Sequence, residues 1–190
     1  MTQIAVLVLI GIVLFFAFLK IAIQGPAANA PDSTALLAVR QMVHLNGLSF
    51  LDVQRLLDPV ELQMLQATPE LREVARVFRK ERQAMALLWV DLLLEDVDSL
   101  WRFRRFLVRN GVHAKLGEEF QILLTAITAV LFLHFLRIVL RFAGPFALAG
   151  AARGARRLVE KMSYASAGVL DRLPRAGWAE IERGWLNSLA

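Results

Sequence analysis

Phe120-Gln-Ile-Leu-Leu-Thr-Ala-Ile-Thr-Ala-Val-Leu-Phe-Leu-His-Phe-Leu136 is the stretch on which the fold turns. Its seventeen residues carry no Asp, Glu, Lys or Arg, and only Gln121, Thr125, Thr128 and His134 are polar. At about 1.5 Å per helical residue, the run is slightly short for the roughly 30 Å hydrocarbon core of a bilayer. The apolar character continues past Arg137 and Arg141 to Gly144-Pro145 and then from Phe146 to Ala152. Two arrangements follow. One is a single tilted helix from Glu118 to Phe142 whose last arginines reach the headgroups. The other is a helical hairpin or re-entrant segment that turns near Gly144-Pro145.

A second apolar run, Ile4 to Ile23, is interrupted only by Lys20, which can extend its ammonium to the headgroups. About twenty helical residues match a membrane thickness, so this run reads as a transmembrane anchor. A cleaved signal peptide is the rival, because Ala28-Asn29-Ala30 resembles a small-residue processing site. Met1-Thr2-Gln3 lacks the basic side chains of such a leader, which favours the anchor.

The whole chain is expected to be an all-α membrane protein. Its 190 residues are 57% hydrophobic and 21% charged, too apolar for a disordered tail and too charged for a bundle of spanning helices alone. Only 6 Pro and 11 Gly interrupt runs rich in Leu and Ala, and no strand-like alternation stands out. The absence of Cys excludes disulfides, thiolate zinc sites and cysteine nucleophiles. Four regions are expected: an anchor over 1–24, a helical membrane-proximal module over 25–118, the second membrane-embedded segment over 119–152, and a basic amphipathic tail over 153–190.

Within the module, helix starts and stops can be read locally. Asp32-Ser33-Thr34 supplies cap oxygens for a helix with a left-handed stop at Asn46-Gly47. Ser49 with Asp52 suggests another start. Asp58-Pro59-Val60-Glu61 and Thr68-Pro69-Glu70 each place a cap, an N1 proline and an acid where free N–H groups need them. From Glu70 to Arg109 one long amphipathic pattern runs to Asn110-Gly111. Leu71, Val74, Phe78, Met85, Leu88, Trp89, Leu92, Phe103, Phe106 and Leu107 fall on its apolar side. Nearly forty residues would reach about 60 Å, so a bend into a hairpin is preferred over an uninterrupted rod. Arg82 and Asp96 interrupt the apolar side, and each calls for a polar partner, a break or exposure.

Chemistry is hard to find. Asp91, Glu95 and Asp98 share a helix face, but the stripe continues into Arg102, Arg105 and Arg109, with Asp98 and Arg102 at ion-pair spacing. His44, His113 and His134 lie in separate segments without a metal-ligand pattern. No phosphate loop, dinucleotide fingerprint, nucleophile elbow or zinc-protease motif occurs. The expectation is therefore a protein without catalytic site, cofactor or metal.

The sharpest candidates are His134, Arg137 and Arg141, ionisable groups at membrane depth or at the lipid headgroups. Phe78, Met85, Trp89, Leu92 and Phe103 on the long helix, with Trp178 and Trp185 in the tail, form the candidate interaction faces. From Phe120 onward nine Lys and Arg face four acids, which accounts for the whole formal charge of +5. That excess places the tail on the cytoplasmic side and favours anionic lipid over nucleic acid as electrostatic partner, while Arg102, Arg104, Arg105, Arg109 and Lys115 place the module there too; a re-entrant or hairpin second segment satisfies both, and two plain spans with an external module are the alternative. The expected function is an anchored helical scaffold or accessory subunit that works through lipid, a protein partner or a homo-oligomer. The alternatives are a small oligomeric channel or transporter subunit and a lipid-binding or membrane-shaping protein.

Overall fold

The computed structural model describes residues 32–46, 57–112 and 115–189. The expected anchor over 1–24, the processing triplet and the Ser49–Asp52 start lie outside the described residues. Those that are described form helices and turns, with no strand among them.

The first helix, α1 (Ser33–Val43), starts where the cap oxygens predict. The Asp32 carboxylate accepts from the Thr34 N–H at 3.3 Å and from the Thr34 hydroxyl at 2.6 Å. Its left-handed stop is His44, φ 52, two residues earlier than the Asn46-Gly47 expected, so His44 caps a helix and lies exposed. The Thr34 hydroxyl and N–H, with Arg175 3.3 Å away, hold the Asp32 carboxyl below the ordinary carboxylate range. A depressed carboxyl contributes stability that is complete above its unfolded value near 3.8 and is lost as pH falls through its folded value. An acid titration followed by circular dichroism should show this cap contributing at neutral pH and failing below that range. Asp32→Ala should remove the contribution at neutral pH and leave the acid limit unchanged.

The second helix, α2 (Val60–Ala67), begins one residue past the expected proline position, with Asp58 accepting the Val60 N–H at 3.0 Å. A short 3-10 turn, Pro69–Leu71, leads without a break into α3 (Arg72–Arg109). The expected hairpin is not formed: α3 is one helix of 38 residues, about 57 Å long. A rod of that length stands because neighbours support it along its course: α2 near its start, α4 and α5 along its length and α6 near its end. Both interrupting charges have partners. Arg82 bonds Glu61 of α2 at 2.6 Å and lies 4.7 Å from the Phe78 ring centre, and buried Asp96 accepts the Asn46 N–H at 2.8 Å. Asp96→Ala would leave a part-buried N–H unpaired and should cost about 1–3 kcal/mol in urea unfolding. Asp96→Asn, which keeps an acceptor, should cost less.

The buried side of α3 is rotated from the expected one. Ala86, Val90, Leu93, Val97 and Leu100 go inside beside Trp89, Phe103 and Leu107, whereas Leu71, Val74, Met85 and Leu88 are exposed. Counting large side chains misplaces the stripe, because small Ala86 lets a neighbouring helix approach while bulky Met85 and Leu88 remain outside.

The 28-residue α4 (Leu116–Ala143) runs antiparallel to α3. Gln83 of α3 donates to the carbonyls of Leu140 and Arg141 at 2.8 and 3.2 Å, satisfying acceptors at the α4 end, while Arg104 meets Glu119 at the other end. Gly144 stops α4 at φ 85, ψ 175, a conformation open essentially to glycine alone. After the turn Pro145–Leu148, α5 (Ala149–Leu170) returns along α3 and α4. The chain thus turns at Gly144-Pro145 after one complete helix. Gly144→Ala should destabilise the fold by about 1–3 kcal/mol through its backbone alone, read as a lower urea midpoint. The new Cβ would also lie 3.0 Å from the Arg79 guanidinium.

Finally α6 (Arg175–Leu189) folds back toward α1 and α3. The result is layered, with α1 and α6 on one side, α3 and α5 in the middle and α4 outermost. Leu133, Leu136 and Leu140 of α4, Leu158 and Met162 of α5, and Val39 and Met42 of α1 join the α3 side chains in one core.

Candidate functional site

The most apolar described helix occupies the outermost layer, the reverse of what burial of oily surface in water would produce. One side of α4, with Ile122, Ala126, Ala129, Phe132, Leu133, Leu136 and Leu140, packs into the groove between α3 and α5. The other side leaves Leu116, Phe120, Leu123, Ile127, Val130, Leu131, Phe135, Ile138 and Phe142 exposed. Their spacing of three and four residues makes one continuous stripe along the full helix, about 40 Å long. Ile127 and Leu131, at its middle, are 47% and 52% exposed. Transferring such side chains from water to hydrocarbon is worth about 1.5–3 kcal/mol each when complete, so the stripe withholds on the order of 10 kcal/mol from the fold. That rivals the whole stability of a typical domain. Among the described residues α4 is the one helix long and apolar enough to cross a membrane, by length and composition alone.

His134, Arg137 and Arg141 lie on this same outer side, confined to its last third among Phe135, Ile138 and Phe142. The Arg137 Nε is 3.5 Å from an Asp91 carboxylate oxygen of α3, and the His134 Nδ1 is 2.9 Å from its own helix's Val130 carbonyl. Polar Thr125 and Thr128 do not open a path along the other side. Their hydroxyls donate to the carbonyls of Gln121 and Leu124 at 2.8 and 2.7 Å, and Thr128 is fully buried.

The candidate interaction faces are distributed differently from the sequence expectation. Trp89, Phe103 and Trp185 are interior residues. Trp185 donates to the Met42 carbonyl at 2.9 Å and stands edge-on to Phe103 and Phe106, 5.3 and 5.6 Å away. Trp178, half-buried, donates to the Leu170 carbonyl at 3.0 Å. The tail tryptophans therefore pin α6 to the bundle, where the sequence alone suggests an interfacial face. Phe78 and Leu92 are half-buried and Met85 is exposed. Of the acidic stripe, Asp91 pairs with Arg137, and Asp98 pairs with Arg102 at 2.8 Å, the spacing-based expectation. Among the described residues no three His, Asp or Glu side chains group to hold a metal ion.

Two features escape a reading of the sequence. Arg104, only 2% exposed, is buried with the Glu119 carboxylate as partner, its Nε 3.2 Å from one oxygen. Nothing in a charged run such as Arg102, Arg104 and Arg105 marks which member turns inward. The second is a cleft of about 370 Å³ near the start of α3, lined by Gln66, Arg72, Ala75, Arg76 and Arg79. Its signal was present in the spacing of the three arginines, which puts them on one helix face.

No protein-family model, curated protein or solved structure matches this chain.

Proposed function

We propose that this protein is a non-enzymatic, membrane-associated helical scaffold or accessory subunit, held at the bilayer through the outer face of α4. One observation carries the reading: an apolar stripe, joined by His134, Arg137 and Arg141 only in its last third, runs the length of a helix whose opposite side packs into the fold. Water leaves such a stripe unsatisfied, and hydrocarbon does not.

The packing also argues for how α4 meets lipid. Beside it, α3 exposes Glu95, Asp98, Arg102, Arg105 and Arg109. If α4 crossed the bilayer with α3 at its side, those charges would sit at membrane depth, each costing about 2.5–3.5 kcal/mol near the centre. Embedding only the outer stripe, with the helix lying along the surface, avoids that cost. Arg137 and Arg141, on the embedded side in its last third, then extend their guanidinium groups to the headgroups, where anionic lipid is the favourable electrostatic partner. The opposite layer, α1 with α6, is left toward water and protein partners. Cytoplasmic placement follows from the basic excess.

The channel alternative needs a polar face for a pore, either Gln121, Thr125 and Thr128 or His134 and Arg137; the two threonine hydroxyls are bonded within α4, and the exposed Gln121, His134 and Arg137 lie among apolar side chains. Full-length protein in vesicles containing phosphatidylcholine with a photoactivatable acyl chain tests the reading. Adducts should map to Phe120, Leu123, Ile127, Leu131 and Ile138 and be missing from α1 and α6. Adducts spread equally over both layers, or none on α4, would refute it.

A further inference from the structure

Because α3 and α4 run antiparallel, the start of α3 extends past the end of α4. Gln83 reaches the last turn of α4, and the Arg79 guanidinium lies against Gly144, where α4 stops. Arg76 and Arg72 continue one and two turns further in the same line. These three arginines, with Gln66 and Ala75, line the cleft of about 370 Å³. No carboxylate lines it, although Glu70 and Glu73 are close in sequence. None of the three guanidiniums joins an ion pair among the described residues, whereas Arg82, Arg102, Arg104, Arg137, Arg156, Arg172 and Arg175 all do. Leu71 at the N-cap provides no side-chain cap, so the positive end of the α3 dipole adds to the same field.

Three arginines that line one cleft without an ion pair supply planar donors of the kind phosphate oxygens accept in pairs. The cleft is also large enough for a small headgroup. Its place at the end of the apolar stripe, beyond Arg137 and Arg141, identifies the source of that phosphate.

We infer that Arg72, Arg76 and Arg79 form a binding site for the phosphate headgroup of an anionic phospholipid at the end of α4. This rests on the membrane reading of α4 and adds lipid-headgroup selectivity to it.

The test is calorimetric titration of the full chain, in a non-ionic detergent, with dioctanoyl phosphatidate, dioctanoyl phosphatidylcholine and glycerol 3-phosphate. Wild-type protein should bind phosphatidate saturably and at least tenfold more tightly than the other two. The triple variant Arg72→Gln/Arg76→Gln/Arg79→Gln should lose at least tenfold in phosphatidate affinity. The triple Arg-to-Lys variant, which keeps charge but not the planar fork, should fall between. The double variant Arg153→Gln/Arg157→Gln, on exposed α5 positions, should bind as wild type. Unchanged affinity in the triple Gln variant, or equal binding of phosphatidate and phosphatidylcholine, would overturn the site. Glycerol 3-phosphate binding as tightly as the lipid would overturn its assignment to a lipid. Acyl-chain adducts on α4 separate this from the broader reading. If they persist while phosphatidate selectivity is missing, this site alone fails; if they are absent in wild-type protein, the membrane reading fails.

Discussion

Glu119→Leu should destabilise the protein by about 3–5 kcal/mol, the largest single-residue effect expected anywhere in the described fold. The reason is what it leaves behind. Arg104 is 2% exposed, and among the described residues its Nη1 has no hydrogen-bond partner. Its Nε and Nη2 both rely on the Glu119 carboxylate. Without that carboxylate a guanidinium that cannot shed its charge is left in the interior beside Phe103 and Leu107, with no compensating anion. The reciprocal change, Arg104→Met, should cost less, because Glu119 is 29% exposed and can be hydrated. The double variant Arg104→Met/Glu119→Leu should recover most of the loss, since an apolar pair of similar volume replaces a buried ion pair nearly neutrally. Urea unfolding of the three variants completes the cycle. A Glu119→Leu effect below about 1 kcal/mol, the range of a surface pair, would show that water reaches Arg104. Since this pair ties the α3–α4 seam at the end where α4 begins, it also helps to set the rotation of α4 and hence which side chains form the outer stripe.

That rotation shows where sequence reading reaches and where it stops. The helical class, the long helix ending at Asn110-Gly111, the Asp32 cap and the Asp98–Arg102 pair were legible because each rests on neighbours within four residues. The hairpin expected in α3 was not formed, because length alone says nothing about support from α2, α4, α5 and α6. Nor does a helical wheel say which side of α4 is covered. Both sides are apolar, and Ile122 and Ile127 differ only in which one meets α3 and α5. Trp178 and Trp185 read as interfacial residues for the same reason, and it is the fold-back of α6 onto α1 and α3 that takes Trp185 inside. The arginine cleft depends on α3 outrunning α4, a consequence of antiparallel register that no local pattern encodes.

The second large effect belongs to the stripe itself. Ile127→Asp places a carboxylate at its middle, and in hydrocarbon this should cost about 2.5–3.5 kcal/mol, shifting the embedded helix toward water by roughly a hundredfold. In water the same change at a residue 47% exposed would be nearly neutral, within about 0.5 kcal/mol. The chain has no cysteine, so a single Leu123→Cys carries an environment-sensitive fluorophore without background. With phosphatidylcholine vesicles its emission should shift to the blue, and Ile127→Asp should return it to the position seen in buffer-exposed α3. The same substitution should leave the helical signal and the urea midpoint in non-ionic detergent within the range of a surface change. Asp98→Ala, on the charged side of α3, should change neither reading. A label at Leu123 that reports the same emission with and without vesicles would place α4 outside the lipid.

Spin labels on single cysteines at Phe120, Leu123, Ile127, Leu131 and Ile138, compared with Asp98 and Arg105 in vesicle-reconstituted full-length protein, test the central claim most directly. All five α4 sites should collide readily with oxygen and poorly with a water-soluble nickel complex, at depths within a few Å of one another, while 98 and 105 should meet the nickel complex freely. Free collision with nickel along α4 would contradict the account outright. A depth profile that peaks near Ile127 and falls toward both ends would show a helix crossing the bilayer instead of lying along it.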